Sequence, residues 1–156
     1  MKIILKNIND YSDLYYINHY NQLNIYQKNK INKIKNNNDK KLSLLGLISV
    51  SNNFNIPINK IYYKKRKPYI NKRNCNFSIS HKYPYVLVVT DKQNIGADLE
   101  ILRNIDEKTI KFLKEENSLD TLIKWTKIES KIKNNNKSNK NKTIIINKTI
   151  IININS

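Results

Sequence analysis

Apolar and polar residues recur along this chain at two spacings, and the changes between them mark its elements. Residues 2–8 read as a first strand, after which Asp10 or Ser12 is placed to cap a helix running through Tyr20. Residues 27–38 are polar and low in complexity, which fits a solvated helix or a loop. Asp39 stands as the N-cap of a helix whose apolar positions 42, 44, 45, 47, 48 and 50 are dense enough for a buried element. Pro57 ends that pattern, residues 58–63 read as a short extended segment, and Lys67-Pro68-Tyr69 as a turn. Residues 76–81 alternate as a half-buried strand does, and Tyr83-Pro84 turns the chain into the β-branched run 86–90. Asp91-Lys92-Gln93-Asn94 then predicts a hairpin into residues 96–100. Helices are expected at about 106–116 and 119–133, a polar linker at about 134–141, and two strands around Asn147-Lys148. Helices and strands without regular βαβ alternation indicate an α+β fold.

Composition changes this picture little. The formal net charge of +17, from 29 Lys+Arg against 12 Asp+Glu, favours a polyanionic partner. Lys, Asn, Ile and Tyr nevertheless recur everywhere, as codon bias alone would produce, so the charge decides nothing by itself. No run of about 18 apolar residues is present, and no membrane span is expected. The opening Met1-Lys2-Ile3-Ile4-Leu5-Lys6 turns polar too soon for a signal peptide. Cys75 is the single cysteine, so a reduced, cytoplasmic setting is expected.

The candidate chemistry lies in Gly96-Ala97-Asp98-Leu99-Glu100. On a strand, Asp98 and Glu100 share a face while Leu99 takes the other. Two neighbouring carboxylates repel, and a divalent cation is a simple reason to pair them. Trp125, Glu129 and Lys133 follow at helical spacing on one stripe. Trp125 is expected to anchor that stripe in the core, Glu129 to complete a hard, oxygen-ligated site for Mg²⁺ or Mn²⁺, and Lys133 to reach an anion beside it. Lys67 and His81 add positive charge for phosphates.

In their order, Lys67-Pro68, Asn76-Phe77-Ser78-Ile79-Ser80-His81, Gly96-Ala97-Asp98-Leu99-Glu100, Glu115-Glu116 and the run from Trp125 to Lys133 resemble the 4′-phosphopantetheinyl transferases, and more closely the pseudo-dimeric type that activates peptide synthetases. The similarity spans about residues 39–133. It implies two similar small α+β halves packed as a pseudo-dimer, here expected at 1–84 and 85–156. It implies Mg²⁺-dependent transfer of the phosphopantetheine arm of coenzyme A to a serine of an acidic acyl or peptidyl carrier protein. Asp98, Glu100 and Glu129 match the metal ligands, and Glu116, with Glu115 as the alternative, matches the carboxylate that helps deprotonate the serine. Lys133 matches the lysine near the leaving diphosphate, and Lys67, Ser80 and His81 match groups that contact coenzyme A phosphates.

The chain departs from that pattern at several positions. Leu42 stands where the family has a coenzyme-gripping arginine, and Ile128 where it has a lysine, with Lys127 displaced by one. Arg66 replaces a glycine, Lys82 a small residue, and Ser130 an alanine. These changes leave a second reading open, a homologue that keeps the fold without the activity. A third, a nucleic-acid-binding protein, draws on the charge and the ten tyrosines but has no recognition motif and leaves Asp98 and Glu100 unexplained. His19 and Cys75 read as structural.

Overall fold

The computed structural model describes residues 1–64, 67–135 and 140–156. Arg66 and half of the expected linker, residues 136–139, lie outside the described residues. The fold is α+β, and the chain divides into two compact units, Met1–Gln93 and Asn94–Ser156.

The N-terminal unit begins with β1 (Lys2–Asn7), then α1 (Asp13–Asn21), α2 (Ile25–Asn32) and α3 (Asn37–Phe54). Ser12 caps α1 by accepting from the Tyr15 amide, and Asn24 with Gln27 forms a reciprocal capping box on α2. The polar stretch expected as helix or loop is therefore partly helical. The N-cap of α3 is Asn36, whose side chain accepts from the Asn38 and Asp39 amides, so Asp39 lies inside the first turn rather than before it. There its carboxylate faces the positive end of the helix.

A hairpin of β2 (Ile61–Lys64) and β3 (Lys67–Ile70) follows, so Lys67-Pro68-Tyr69 is strand and not turn. Then come β4 (Asn76–Lys82) and β5 (Tyr85–Asp91), joined through a cis Tyr83–Pro84 bond. The antiparallel sheet has the order β1-β5-β4. Helix α3 covers it, with Leu45, Ile48 and Val50 fully buried and packed with Phe77, Val86 and Val88. Gly46 permits the approach, since a Cβ there would stand 2.9 Å from Ile79 Cγ2.

The C-terminal unit runs β6 (Gly96–Ile101), α4 (Glu107–Leu113), α5 (Ser118–Lys133), β7 (Asn141–Ile146) and β8 (Ile150–Asn155). Its antiparallel sheet has the order β6-β8-β7, with α5 packed on β6 and β8. The β7–β8 turn places Asn147 and Lys148 at positive φ, as a tight hairpin turn with two left-handed residues does. The expected β5–β6 hairpin does not form. β5 is the central strand of the first sheet, between β1 and β4, and β6 pairs with β8 instead. For the same reason the units divide after Gln93 and not after Pro84.

The three-stranded sheets of the two units share one strand order, the last strand lying between the first and its own hairpin partner, while the N-terminal unit also carries the β2–β3 hairpin. Among the described residues no helix is long and apolar enough to cross a membrane.

Gln27 is the polar pin of the first unit. Fully buried, it donates from Nε2 to the Ile58 and Ile61 carbonyls, both at 2.8 Å, while its Oε1 accepts from the Asn24 amide. Gln27→Leu strands both carbonyls and should lower stability by about 2–4 kcal/mol in urea titrations. Tyr16 and Tyr63 supply a pH limit. Burial, helped by neighbouring tyrosines, pushes each phenol from 10.0 up to about 12. A raised folded-state value means the neutral phenol is the stabilising form, so the contribution is complete below 10.0 and is lost as pH rises through about 12. Helical circular dichroism should therefore hold to pH 10.0 and collapse together with the rise of tyrosinate absorbance.

Candidate active site

The site builds up from β6. Its register with β8 sets Gly96 opposite Asn155, Asp98 opposite Asn153 and Glu100 opposite Ile151. Directly opposed residues present their side chains on one face, so these six form a single surface. Ser130 and Asn134 of the α5 end bond to Asn153 and Asn155, which identifies it as the surface beneath α5. Ala97, Leu99, Ile152 and Ile154 occupy the opposite, apolar face.

Asp98 is 6% and Glu100 8% exposed, a burial that requires partners. Lys133, in the last turn of α5, donates from Nζ to Asp98 Oδ1 at 2.6 Å. Arg103 Nη2 stands 3.4 Å from Glu100 Oε2. The ammonium of Lys133 thus sits where the sequence placed a metal against Asp98. Glu129 lies one turn before Lys133 on α5 and is half-buried. Among the described residues no three or more His, Cys, Asp or Glu side chains gather closely enough to hold a metal ion.

A layer of small polar groups surrounds the pair and was missed in the sequence. Ser130 donates to Asn153 Oδ1 at 2.8 Å, and Asn153 Nδ2 donates to Thr143 at 2.8 Å. Asn134 Nδ2 donates to Asn155 Oδ1 at 2.7 Å, and Asn155 Nδ2 donates to Asn141 Oδ1 at 3.1 Å. Asn134 Oδ1 is buried without a hydrogen-bond partner. The signal was the alternation of asparagine with isoleucine in β8, hidden because asparagine is abundant throughout.

Trp125 does not anchor α5. It is 42% exposed and forms an outward stripe with Ile128 and Ile132, while Leu122, Thr126 and Ser130 face inward. The helix packs on a polar sheet face through small residues, so the indole has no place beneath it. Glu115 pairs with Lys124 at 2.6 Å, and Glu116 is exposed in the bend between α4 and α5.

Lys67, Ser80 and His81 belong to the N-terminal unit. Ser80 and His81 lie on β4, the first buried and the second exposed, and Lys67 opens β3 with its side chain exposed. Leu42 is 1% exposed within the core, a position that admits no cation. Neighbouring Lys41 points away from the core, pairs with Asp13 at 2.6 Å and lies over the Tyr16 ring. His19 is structural, as expected: its Nδ1 lies 2.8 Å from the accepting Tyr15 carbonyl, and its ring packs on Tyr15. No protein-family model and no curated protein matches the chain.

Lys133→Met removes the ammonium from a carboxylate that is nearly buried. With Lys133 itself 28% exposed at its side chain, the expected loss is about 1–3 kcal/mol by urea unfolding, below that of a fully buried pair. Adding Asp98→Asn should recover part of it. Equal stability of the single variant and the parent would show the ion pair to be inert.

Proposed function

We propose that the chain is a phosphopantetheinyl transferase, moving the phosphopantetheine arm of coenzyme A to a carrier-protein serine with Mg²⁺. The observation that carries the reading is the sharing of one buried strand face by Asp98 and Glu100, with Lys133 against Asp98 and Glu129 one turn before it. The strand order shared by the two three-stranded sheets supports the family's fold of two similar halves.

The carboxylates suit a hard divalent ion in chemistry. Asp98, Glu100 and Glu129 would hold it only after Glu129 moved toward the pair, since the three do not gather closely enough as described, and after Lys133 gave up its contact with Asp98. When bound, the ion would neutralise the diphosphate of coenzyme A. In the transfer, the serine oxygen forms a bond to the phosphorus bearing the pantetheine arm, and the bond from that phosphorus to the adenosine 3′,5′-bisphosphate oxygen breaks. The serine proton passes to Glu116, directly or through water. Glu116 is exposed, as a base serving a protein substrate must be. Lys133, once released from Asp98, would meet the charge that grows on the leaving group, and Lys67, Ser80 and His81 are the positions that match the family's contacts to coenzyme A phosphates.

A second reading, an inactive homologue, is favoured by one observation: Leu42 fills the core where the family has a phosphate-gripping arginine.

One assay decides between them. Purified protein is incubated with labelled coenzyme A, Mg²⁺ and apo carrier proteins. Label should appear on a carrier and fall by at least about a hundredfold with Asp98→Ala, the scale of losing one transition-state electrostatic contact. Absence of label on every carrier tried, from folded protein, overturns the transferase and leaves the homologue.

A further inference from the structure

We propose that the outward face of the β2–β3 hairpin binds single-stranded nucleic acid. The hairpin register sets Tyr62 opposite Tyr69 and Lys64 opposite Lys67, with Ile61 opposite Ile70 and Tyr63 opposite Pro68. Because strand side chains alternate, the first two pairs share one face and the last two the other. Ile61 is fully buried, and Tyr63 and Ile70 pack against the core of the first unit. The opposite face presents two tyrosines and two lysines outward, all four of them exposed.

Tyr62 and Tyr69 are each 42% exposed, with ring centroids 5.9 Å apart and a 40° tilt between planes. Two adjacent rings with open faces give nucleobases a stacking platform that works for any sequence. The lysine pair lies one step along the same face, where a backbone threading over the rings would place phosphates. Lys60, Lys72 and Arg73 flank the hairpin and are exposed. Between Asp39 and Asp91 the chain has no Asp or Glu at all, so no carboxylate from that stretch opposes a polyanion here.

Charge alone would equally suit an acidic protein. The paired open rings favour bases, since a carboxylate-rich partner gains little from an aromatic face. The plainer role for the tyrosines is as a cross-strand pair that stiffens the hairpin. That role predicts an effect on stability and none on affinity.

The test uses the full chain and a fluorescein-labelled oligothymidine of about a dozen nucleotides, within the usual span of one binding platform. Anisotropy should report binding that weakens steeply with salt. Tyr62→Ala with Tyr69→Ala should weaken it by about tenfold or more, while the matching Phe pair binds like the parent. Lys64→Gln should weaken binding modestly and flatten its salt dependence. Should the Ala pair fail to fold, photocrosslinking of the unaltered protein to bromodeoxyuridine oligonucleotide gives a separate readout, with adducts expected within residues 60–73. Undiminished binding by a folded Ala pair, adducts only elsewhere, no binding at all, or tighter binding to polyglutamate would each overturn the proposal. None of these arms uses coenzyme A or a carrier, so the result is independent of the transfer reaction.

Discussion

The C-terminal unit depends on how closely α5 lies against β6. A side chain at Gly96 would overlap the Ser130 carbonyl and approach the Asn134 amide to 2.6 Å. Those two groups form one of the last backbone bonds of the helix region. The strand backbone therefore touches the helix end directly, and only glycine leaves room for it. The chain has just two glycines, and both stand where a helix meets a sheet: Gly46 between α3 and β4, Gly96 between β6 and α5. In a composition so poor in glycine, these two are placed by packing. Closeness at Gly96 also brings Lys133 within reach of Asp98 and Ser130 within reach of Asn153.

That closeness explains why the layer under α5 is polar. Where its end lies nearest the sheet, the helix has space for Ser, Thr and Asn, while Leu122 packs further toward its start. Each buried amide or hydroxyl then needs a partner, and the chain Ser130–Asn153–Thr143 and its neighbour Asn134–Asn155–Asn141 supply them. Such networks tolerate little slippage: moving β8 by one residue would turn Asn153 and Asn155 onto the apolar face and Ile154 onto the polar one. The hydrogen bonds thus fix register where a purely apolar layer would fix it less sharply.

Local signals were legible in the sequence and distant ones were not. A cap at Asp10 or Ser12, of which Ser12 proves to be the one, the burial of 42–50, the strands read at 76–81 and 86–90 and the paired strands around Asn147-Lys148 all follow from neighbours along the chain. The face shared by Asp98 and Glu100 was readable from period two alone. Partner choice was not: turn chemistry at 91–94 suggested a hairpin, but β5 already had β1 and β4 on its two edges. Trp125 failed for a related reason. The helical spacing was read correctly, but the face of α5 that meets the sheet is the one carrying Leu122, Thr126 and Ser130, and Trp125 lies off it.

The order of strands has a consequence for how the protein is made. β8 is the central strand of its sheet and follows every other element of its unit in the sequence. During synthesis, β6 emerges before β8, its partner in the sheet, has been translated, and none of the described residues made in between pairs with it. The first unit faces the same wait, since its central strand β5 is also its last, but β5 arrives before β6 begins. All strands of the N-terminal unit are thus made before the C-terminal sheet can close, which waits for its last strand.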